Sequence, residues 1–323
     1  MRRRLSRHQP LPVDLPPAIE DFLADCRLRG LSPTTLEWYR YALQPFARFA
    51  LARGEATADA VTDATVRAFL SEEGEHVQPR RVDHYRQAID RLYKWLIAEG
   101  RTDVNPAAQL RKIREPRRLV KTFSESELEA LLAQPDLRCF LGLRDHVFML
   151  FLLDTGIRLS EALGLRLHDL DLHSSTMRVL GKGNKERLVG FSPAMEQHLR
   201  RYLVRREAAL AEIGRSDSAW VFPNQFGDRG GSKGYQTRLK RYGEAAGITR
   251  VRVSPHTFRH TFALWFVRNG GSPFHLQKIL GHTSLDMSRR YCELADTDFL
   301  SSQRELSPLA MMDLGARGRK RLR

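Results

Sequence analysis

The chain has 323 residues, enough for two domains, and its 42% content of hydrophobic residues is sufficient for real cores. A formal net charge of +15 and a pI of about 10.2 favour a polyanionic partner, nucleic acid first, although a merely soluble basic protein has the same charge. The sequence has no metal-ligand spacing around its three scattered cysteines, no phosphate-binding glycine loop, no dense carboxylate cluster and no secretory or membrane-spanning stretch. These features argue against nucleotide hydrolysis, two-metal chemistry and membrane insertion, and we expect a cytoplasmic protein without a cofactor.

The first part of the chain predicts a small helical domain over residues 14–104. Apolar residues recur at helical spacing, and Ser32-Pro33 is typical of a helix start. Pro45 is expected to kink or split the helix that follows, and further helices are predicted from Asp63 and from Pro79.

The last of these helices is amphipathic, with a basic side opposite its apolar side. The basic side carries Arg81, His84, Arg91 and Lys94. Such a face can contact phosphates, and an ordinary solvated face has the same pattern.

A charged segment over residues 105–121 with two X-Pro pairs predicts an interdomain linker, and a second domain is predicted over residues 122–302. Its first helix begins with a capping box that starts at Ser124. A nearly all-apolar helix must be buried, and Gly156 is expected to end it in the left-handed conformation. Arg158 follows, and Glu161 lies one turn later, where it can orient an arginine.

A β-hairpin is predicted from the β-prone segments 176–180 and 187–191, and segment 220–222 is a candidate further strand. Lys182 and Lys185 both lie near the hairpin turn. The helix predicted from Pro193 has four arginines that are expected to point outward into solvent: Arg200, Arg201, Arg205 and Arg206. A later helix ending at Ala246 offers possible DNA contacts at Arg238, Lys240 and Arg241.

Three polar clusters interrupt the apolar, helix-like stretch that follows. They are His256-Thr257-Phe258-Arg259-His260, Leu280-Gly281-His282 and Arg289-Arg290-Tyr291. His256 and Arg259 are spaced for one helical face, whereas His260 is expected on another side, where it supports the site from behind. A histidine, a fixed cation, a second histidine and a phenol form a set suited to attack on a phosphodiester, because arginine meets the charge that develops on phosphate oxygens.

Taken with the Thr155–Glu161 segment and Gly181-Lys182-Gly183, these clusters resemble the tyrosine recombinase (phage integrase) family, in an Xer-like form. The likeness covers residues 121–300 strongly and the preceding region more weakly. It implies a mainly α (α+β) fold, with an N-terminal four-helix core-binding (SAM-like) domain and a helical catalytic domain that contains a small antiparallel β-sheet. Six positions match the family's active site in order: Arg158, Lys182, His256, Arg259, His282 and Tyr291.

The resemblance also implies roles for these residues. Arg158, Arg259 and His282 hold the scissile phosphate, and Tyr291 attacks it to leave a 3′-phosphotyrosyl link. His256 accepts the phenolic proton, and Lys182 protonates the 5′-oxygen, with Lys185 as the alternative if the hairpin register differs by a few residues. No metal or ATP is needed, because the phosphotyrosine stores the phosphodiester energy.

The expected function is site-specific recombination of double-stranded DNA through a Holliday junction, by a homo- or hetero-tetramer on two sites. An integrase or transposase of a mobile element is the alternative within the family. A type IB topoisomerase uses similar chemistry, but the small helical N-terminal domain argues against it. A catalytically silent DNA-binding protein is disfavoured by the complete set of six residues.

The C-terminal tail, residues 303–323, contains an apolar patch before a basic end. The patch consists of Leu309, Met311, Met312 and Leu314. It is too apolar for a purely solvated tail and too small for a core, so docking on a neighbouring protomer is one prediction. Folding back on its own protomer or remaining disordered is the other.

The basic helix face predicts that affinity for duplex DNA depends steeply on salt, because Lys and Arg contacts release counterions from phosphate. Replacing Arg81 and Arg91 together with Ala removes two such contacts. The slope of log K against log salt concentration should then become shallower by roughly 2. Titrations of labelled duplex over a range of salt concentrations measure this slope. An unchanged slope would indicate that the basic face contacts solvent and not DNA.

Overall fold

The computed structural model describes residues 13–113, 121–181, 186–282 and 284–295. The described residues up to 113 belong to one compact unit and those from 121 onward belong to another. Both units are mainly helical, and the second contains a small antiparallel sheet, as the sequence predicts. Lys182, Lys185 and the tail with its apolar patch lie outside the described residues.

The first unit contains the four predicted helices. They are α1 (Leu15–Leu28), α2 (Pro33–Ala52), α3 (Asp63–His76) and α4 (Pro79–Ala98), with a 3₁₀ turn over Ala58–Ala60. Ser32 starts α2 as predicted, because its hydroxyl accepts the Thr35 amide at 3.3 Å. Thr62 starts α3 in the same way through the Thr65 amide at 3.2 Å.

Helix α2 runs through Pro45 without interruption, so the expected split does not occur. A proline in a helix interior removes one backbone hydrogen bond. Leu43 and Phe46 on either side of it are fully buried, and this packing holds the helix together across the defect.

Aromatic side chains join the helices of the first unit. The ring of Phe69 on α3 lies 5.4 Å from Phe46 on α2 and 5.4 Å from Tyr85 on α4. On the opposite side of α4, Arg81 and Arg91 are exposed, and the Arg81 guanidinium lies 4.6 Å from the Tyr41 ring centre. The basic face predicted for α4 is therefore solvent-accessible within this unit.

The second unit is built from eight α-helices, a 3₁₀ turn over Leu167–Asp169 and three strands in its described part. The helices are α5 (Glu125–Leu132), α6 (Phe140–Thr155), α7 (Leu159–Leu163), α8 (Pro193–Glu212), α9 (Ser232–Ala245), α10 (Pro255–Arg268), α11 (Pro273–Leu280) and α12 (Asp286–Ala295). The strands are β1 (Leu170–Asp171), β2 (Thr176–Leu180) and β3 (Glu186–Gly190), ordered β1-β2-β3 with both pairs antiparallel. The apolar helix predicted before Gly156 is α6, which packs against α8 and α10 in the core.

The sheet gains no strand from residues 220–222. Trp220 forms an isolated bridge with Arg166, and the Val221 amide donates to the Leu165 carbonyl at 3.0 Å. The segment is fixed by buried side chains instead, since Val221 and Phe222 are almost completely inaccessible. The apolar, β-prone residues therefore indicated a buried segment correctly, but they did not predict its backbone pairing.

One of the arginines predicted to face solvent is buried. Arg206 on α8 is 4% exposed, and its guanidinium donates to the carbonyls of Trp220 at 2.8 Å and Ser218 at 2.6 Å. The prediction was wrong because backbone carbonyls of an irregular segment can satisfy a buried guanidinium, and such a segment leaves no periodic signal in the sequence.

A second buried arginine lies on α6. Arg144 is 1% exposed, and its guanidinium donates to the Asp145 carboxylate at 2.8 Å and to the Pro223 carbonyl at 2.7 Å. Asp145 also accepts from the Tyr242 hydroxyl at 3.1 Å, and its carboxylate lies 2.7 Å from Arg238 of α9. This cluster attaches α9 to the core.

Among the residues that the structure describes, no helix combines the length and the apolar character needed to span a membrane.

Removing the buried carboxylate should destabilise the second unit strongly. Asp145→Ala leaves Arg144 charged and unpaired in the core, which costs about 3–5 kcal/mol of unfolding free energy. Urea unfolding of the full chain measures this. Asp136→Ala is the matched control, because Asp136 pairs with the exposed Arg138 and should change stability little. Equal effects of the two substitutions would contradict a structural role for the buried cluster.

Candidate active site

Arg158 is positioned by the turn between α6 and α7. Gly156 ends α6 with φ 61°, the left-handed conformation predicted for it. A side chain there would also collide with Phe262 at 2.3 Å, so glycine is required for both reasons. The sharp turn puts Arg158 at the start of α7, with its side chain 36% exposed toward the site.

Glu161 holds two arginines at once. It is 4% exposed, accepts from the Arg158 side chain at 3.0 Å and from the Arg158 amide at 2.8 Å, and therefore orients that arginine as predicted. It also receives two parallel hydrogen bonds from Arg187 of β3, at 3.0 and 2.9 Å. Burial alone would raise the pKa of Glu161, but the hydrogen bonds from Arg187 and Arg158 outweigh it and hold the pKa below its ordinary value.

Arg259 enters the site from α10. It is 6% exposed, and its guanidinium donates to the Gly156 carbonyl at 2.9 Å and to the Leu280 carbonyl at 2.8 Å. Burial and the nearby charge of Arg158 lower the pKa of Arg259 to about 10, so it remains a cation at neutral pH.

The three arginines converge on one end of α11. Arg187 donates to the Ile279 carbonyl at 2.9 Å, Arg259 to the Leu280 carbonyl and Arg158 to the Gly281 carbonyl at 3.1 Å. These carbonyls are consecutive, and they lie at the C-terminal, partially negative end of the helix. The helix end therefore sets the positions of all three cations.

His282 follows directly and is fixed by the same turn. Gly281 ends α11 with φ 62°, and the His282 amide donates to the Gln277 carbonyl at 3.0 Å. The ring is 8% exposed, with Nδ1 3.0 Å from the hydroxyl of Ser288 on α12. Burial and the charges of Arg259 and Arg158 lower the pKa of His282 to about 4, so the imidazole is neutral near pH 7.

Tyr291 lies on α12, one helical turn beyond Ser288. It is 5% exposed, and its hydroxyl lies 2.6 Å from Nδ1 of His260 on α10. Burial raises the pKa of the phenol, and Arg259 and Arg290 offset only part of that increase. The phenol is thus held in its protonated form next to an imidazole.

The two histidines of α10 have different surroundings. His256 is exposed, and burial of part of its ring together with the charges of Arg259 and Arg158 lowers its pKa. His260, expected on another side of the helix, is the residue that contacts Tyr291. This contact is compatible with the supporting role expected for His260, which is four residues from His256 on the same helix.

The chain is similar in sequence to known protein families and to individual proteins. Residues 121–298 match the model of the phage integrase family, and residues 19–101 match that of its N-terminal SAM-like domain. The chain is 32% identical to tyrosine recombinase XerD of Ralstonia nicotianae, over 88% of the chain and 92% of the relative. It is 35% identical to tyrosine recombinase XerC of Oceanobacillus iheyensis, over 81% of the chain and 86% of the relative.

The chain belongs to the phage integrase family. It is accordingly a tyrosine-type site-specific DNA recombinase. A crystal structure of the XerH site-specific recombinase, bound to a palindromic difH substrate in a post-cleavage complex, shares the fold with a TM-score of 0.71 at 21% identity. That likeness covers 89% of this chain and 83% of the XerH chain.

The recombinase site contains residues that sequence reasoning missed. Arg187 and Ser288 were not singled out, because their roles depend on which backbone and side-chain atoms lie opposite them in the fold. A signal existed for Arg187, since a strand arginine close to the hairpin lysines is a candidate for the same site. The sequence predicts His260 only as a supporting residue, and its contact partner Tyr291 is seen only in the structure.

Arg187 should position the site without binding phosphate, because all three of its nitrogens are engaged by Glu161 and Ile279. Arg187→Ala releases Glu161 and the end of α11, and a displacement of about 1 Å in such a site costs on the order of 100-fold in rate. We expect a single-turnover cleavage rate lower by about that factor with little change in DNA affinity. Arg178→Ala removes an exposed charge from the neighbouring strand and should cleave normally. Equal losses from both variants would indicate a general charge effect.

Proposed function

We propose that Tyr291 attacks the scissile phosphate and forms a 3′-phosphotyrosyl intermediate, with Arg158, Arg259 and His282 binding the non-bridging oxygens. The observation that carries the proposal is the shared anchorage of these groups. Arg158 and Arg259 donate to neighbouring carbonyls at the end of α11, and His282 is the next residue. Donors fixed in this way need no reorganisation as charge develops on the phosphate.

The residues that we propose bind phosphate differ in charge. Arg158 and Arg259 supply permanent charge, and the neutral His282 supplies a hydrogen bond. Its Nδ1 faces Ser288, so Nε2 is the nitrogen directed to the phosphate when the serine hydroxyl donates to Nδ1. Loss of one such donor costs about 100- to 1,000-fold in rate.

Lys182 is the proposed acid for the leaving 5′-oxygen. It lies in the hairpin connection between β2 and β3, outside the described residues, and the support for its role is its place in the family motif. The contact of Arg187 with Glu161 supports this proposal, because it joins strand β3, which follows Lys182 in the sequence, to the proposed site.

The proposed biological role is Xer-like recombination of specific duplex sites in the cytoplasm, through a Holliday junction within a tetramer on two sites. The relatives named XerC and XerD support it by similar identity over most of the chain. Rejoining the 3′-phosphotyrosine with a different 5′-hydroxyl conserves the bond energy, so the reaction needs no nucleotide.

Covalent capture tests the nucleophile. A library of nicked duplexes with randomised flanks is incubated with the wild type, and duplexes that remain attached to protein after denaturation are sequenced to define a cleavable site. Tyr291→Phe removes only the attacking oxygen, so it should bind the captured duplex with near wild-type affinity and form no adduct. An adduct that persists in Tyr291→Phe would assign the nucleophile to another residue.

A modified leaving group tests Lys182. A bridging 5′-sulfur departs without protonation, so a 5′-thio substrate should restore most of the cleavage lost in Lys182→Ala. Lys185→Ala is the matched control and should behave as the wild type on both substrates. Rescue of Lys185→Ala in place of Lys182→Ala would move the acid to the other lysine.

A further inference from the structure

The hydroxyl of Ser288 is buried against the ring of His282. Ser288 lies on α12 and is completely inaccessible to solvent, and its Oγ is 3.0 Å from Nδ1 of His282. Within the described residues, this ring nitrogen is the hydrogen-bond partner found for the hydroxyl. The direction of this single hydrogen bond decides which nitrogen of His282 carries a hydrogen.

Burial of the pair settles that direction. A hydroxyl has one hydrogen to donate, and each nitrogen of a neutral imidazole is either a donor or an acceptor. If Nδ1 carried the hydrogen, the buried O–H of Ser288 would lack an acceptor among the described residues, and a buried donor without a partner is costly. If the hydroxyl donates, only lone pairs of oxygen stay unpaired, which is the commoner situation in proteins. The hydroxyl of Ser288 therefore donates, and Nδ1 of His282 accepts.

The hydrogen of the His282 ring then lies on Nε2. Burial and the charges of Arg259 and Arg158 lower the pKa of His282 to about 4, so the ring carries one hydrogen near pH 7. With Nδ1 as the acceptor, that hydrogen is on Nε2, from which it can be donated to a phosphate oxygen. A hydrogen on Nδ1 would instead leave a lone pair on Nε2, which cannot donate.

We propose that Ser288 is a positioning residue whose hydroxyl holds His282 in the form that donates from Nε2 to the scissile phosphate. This inference rests on the proposed role of His282 in binding phosphate. Ser288 acts through the imidazole alone, because its side chain is fully buried and does not reach the surface where DNA binds.

The helix that carries Ser288 also carries the proposed nucleophile. Ser288 and Tyr291 are three residues apart and therefore share one face of α12. Helix α12 packs against α10 and α11, and Tyr291 is only 5% exposed. The packing that places the phenol thus also gives His282 the hydrogen bond that sets its donor nitrogen. A displaced α12 would remove the nucleophile and this hydrogen bond together.

Nuclear magnetic resonance of the full chain at pH 7 tests the hydrogen bond without DNA. Labelling of histidine with ¹⁵N distinguishes a protonated from an unprotonated ring nitrogen, and the signals of His282 are those missing from His282→Gln. We expect Nε2 to be protonated and Nδ1 to be unprotonated in the wild type. The Nδ1 resonance should move in Ser288→Ala, which lacks the hydroxyl. A protonated Nδ1 in the wild type, or unchanged ring resonances in Ser288→Ala, would overturn the proposal.

Single-turnover cleavage of the captured duplex at pH 7 tests the consequence for catalysis. Ser288→Ala should cleave about tenfold more slowly than the wild type, because one hydrogen bond that orients the donor is lost. In the His282→Gln background, the same substitution should change the rate by less than about twofold, because its effect passes through His282. Ser284→Ala is the matched control, since it removes an exposed hydroxyl just before α12 and should cleave as the wild type does.

The kinetic outcomes separate this inference from the proposed function. Wild-type cleavage by Ser288→Ala, or an equal loss from it in both backgrounds, would show that Ser288 does not act through His282. Wild-type cleavage by His282→Gln would instead reject the phosphate role of His282, whereas the resonances of the free protein do not depend on that role. Thermal unfolding of each variant is measured in parallel. If Ser288→Ala is poorly folded, the protonated nitrogen of the wild type still decides the direction of the hydrogen bond.

Discussion

The site depends on three guanidinium groups held close together around the end of one helix. Positively charged groups that lie close together repel one another, so the three arginines need negative partners at fixed positions. The carbonyls of Ile279, Leu280 and Gly281 supply the partially negative end of α11, and Glu161 supplies a buried carboxylate. These partners hold the three guanidinium groups in place without bound DNA.

The same scaffold separates two tasks that would otherwise compete. Cations favour ionisation of a nearby phenol, but they also lower the proton affinity of nearby imidazoles. His260 and His282 are neutral in this environment, and Tyr291 remains protonated because it is buried. The positive charge of the site therefore resides on the arginines, while the imidazoles and the phenol are uncharged near neutral pH.

Sequence patterns predicted much of this structure and failed where a contact depends on the fold. Helix starts such as Ser32 and the left-handed turn at Gly156 follow from local backbone chemistry, so they were predictable. The order of the motifs identified the family and indicated the residues that we propose bind phosphate. Three features depend on atoms that are distant in the sequence, and the periodicity of apolar residues does not predict them. They are the burial of Arg206, the hydrogen bonds of Arg187 and the contact partner of Tyr291.

The end of α11 fixes Arg158 and Arg259, which we propose bind phosphate, before DNA arrives. A crystal structure of the full chain on its nicked duplex, with vanadate joining Tyr291 and the 5′-hydroxyl as a transition-state mimic, tests this directly. We expect Arg158, Arg259 and His282 to contact the equatorial oxygens. The hydrogen bonds from the arginines to the carbonyls of Leu280 and Gly281 should persist, and Arg187 should remain bound to Glu161. Loss of those carbonyl contacts, or Arg187 bound to vanadate, would contradict it.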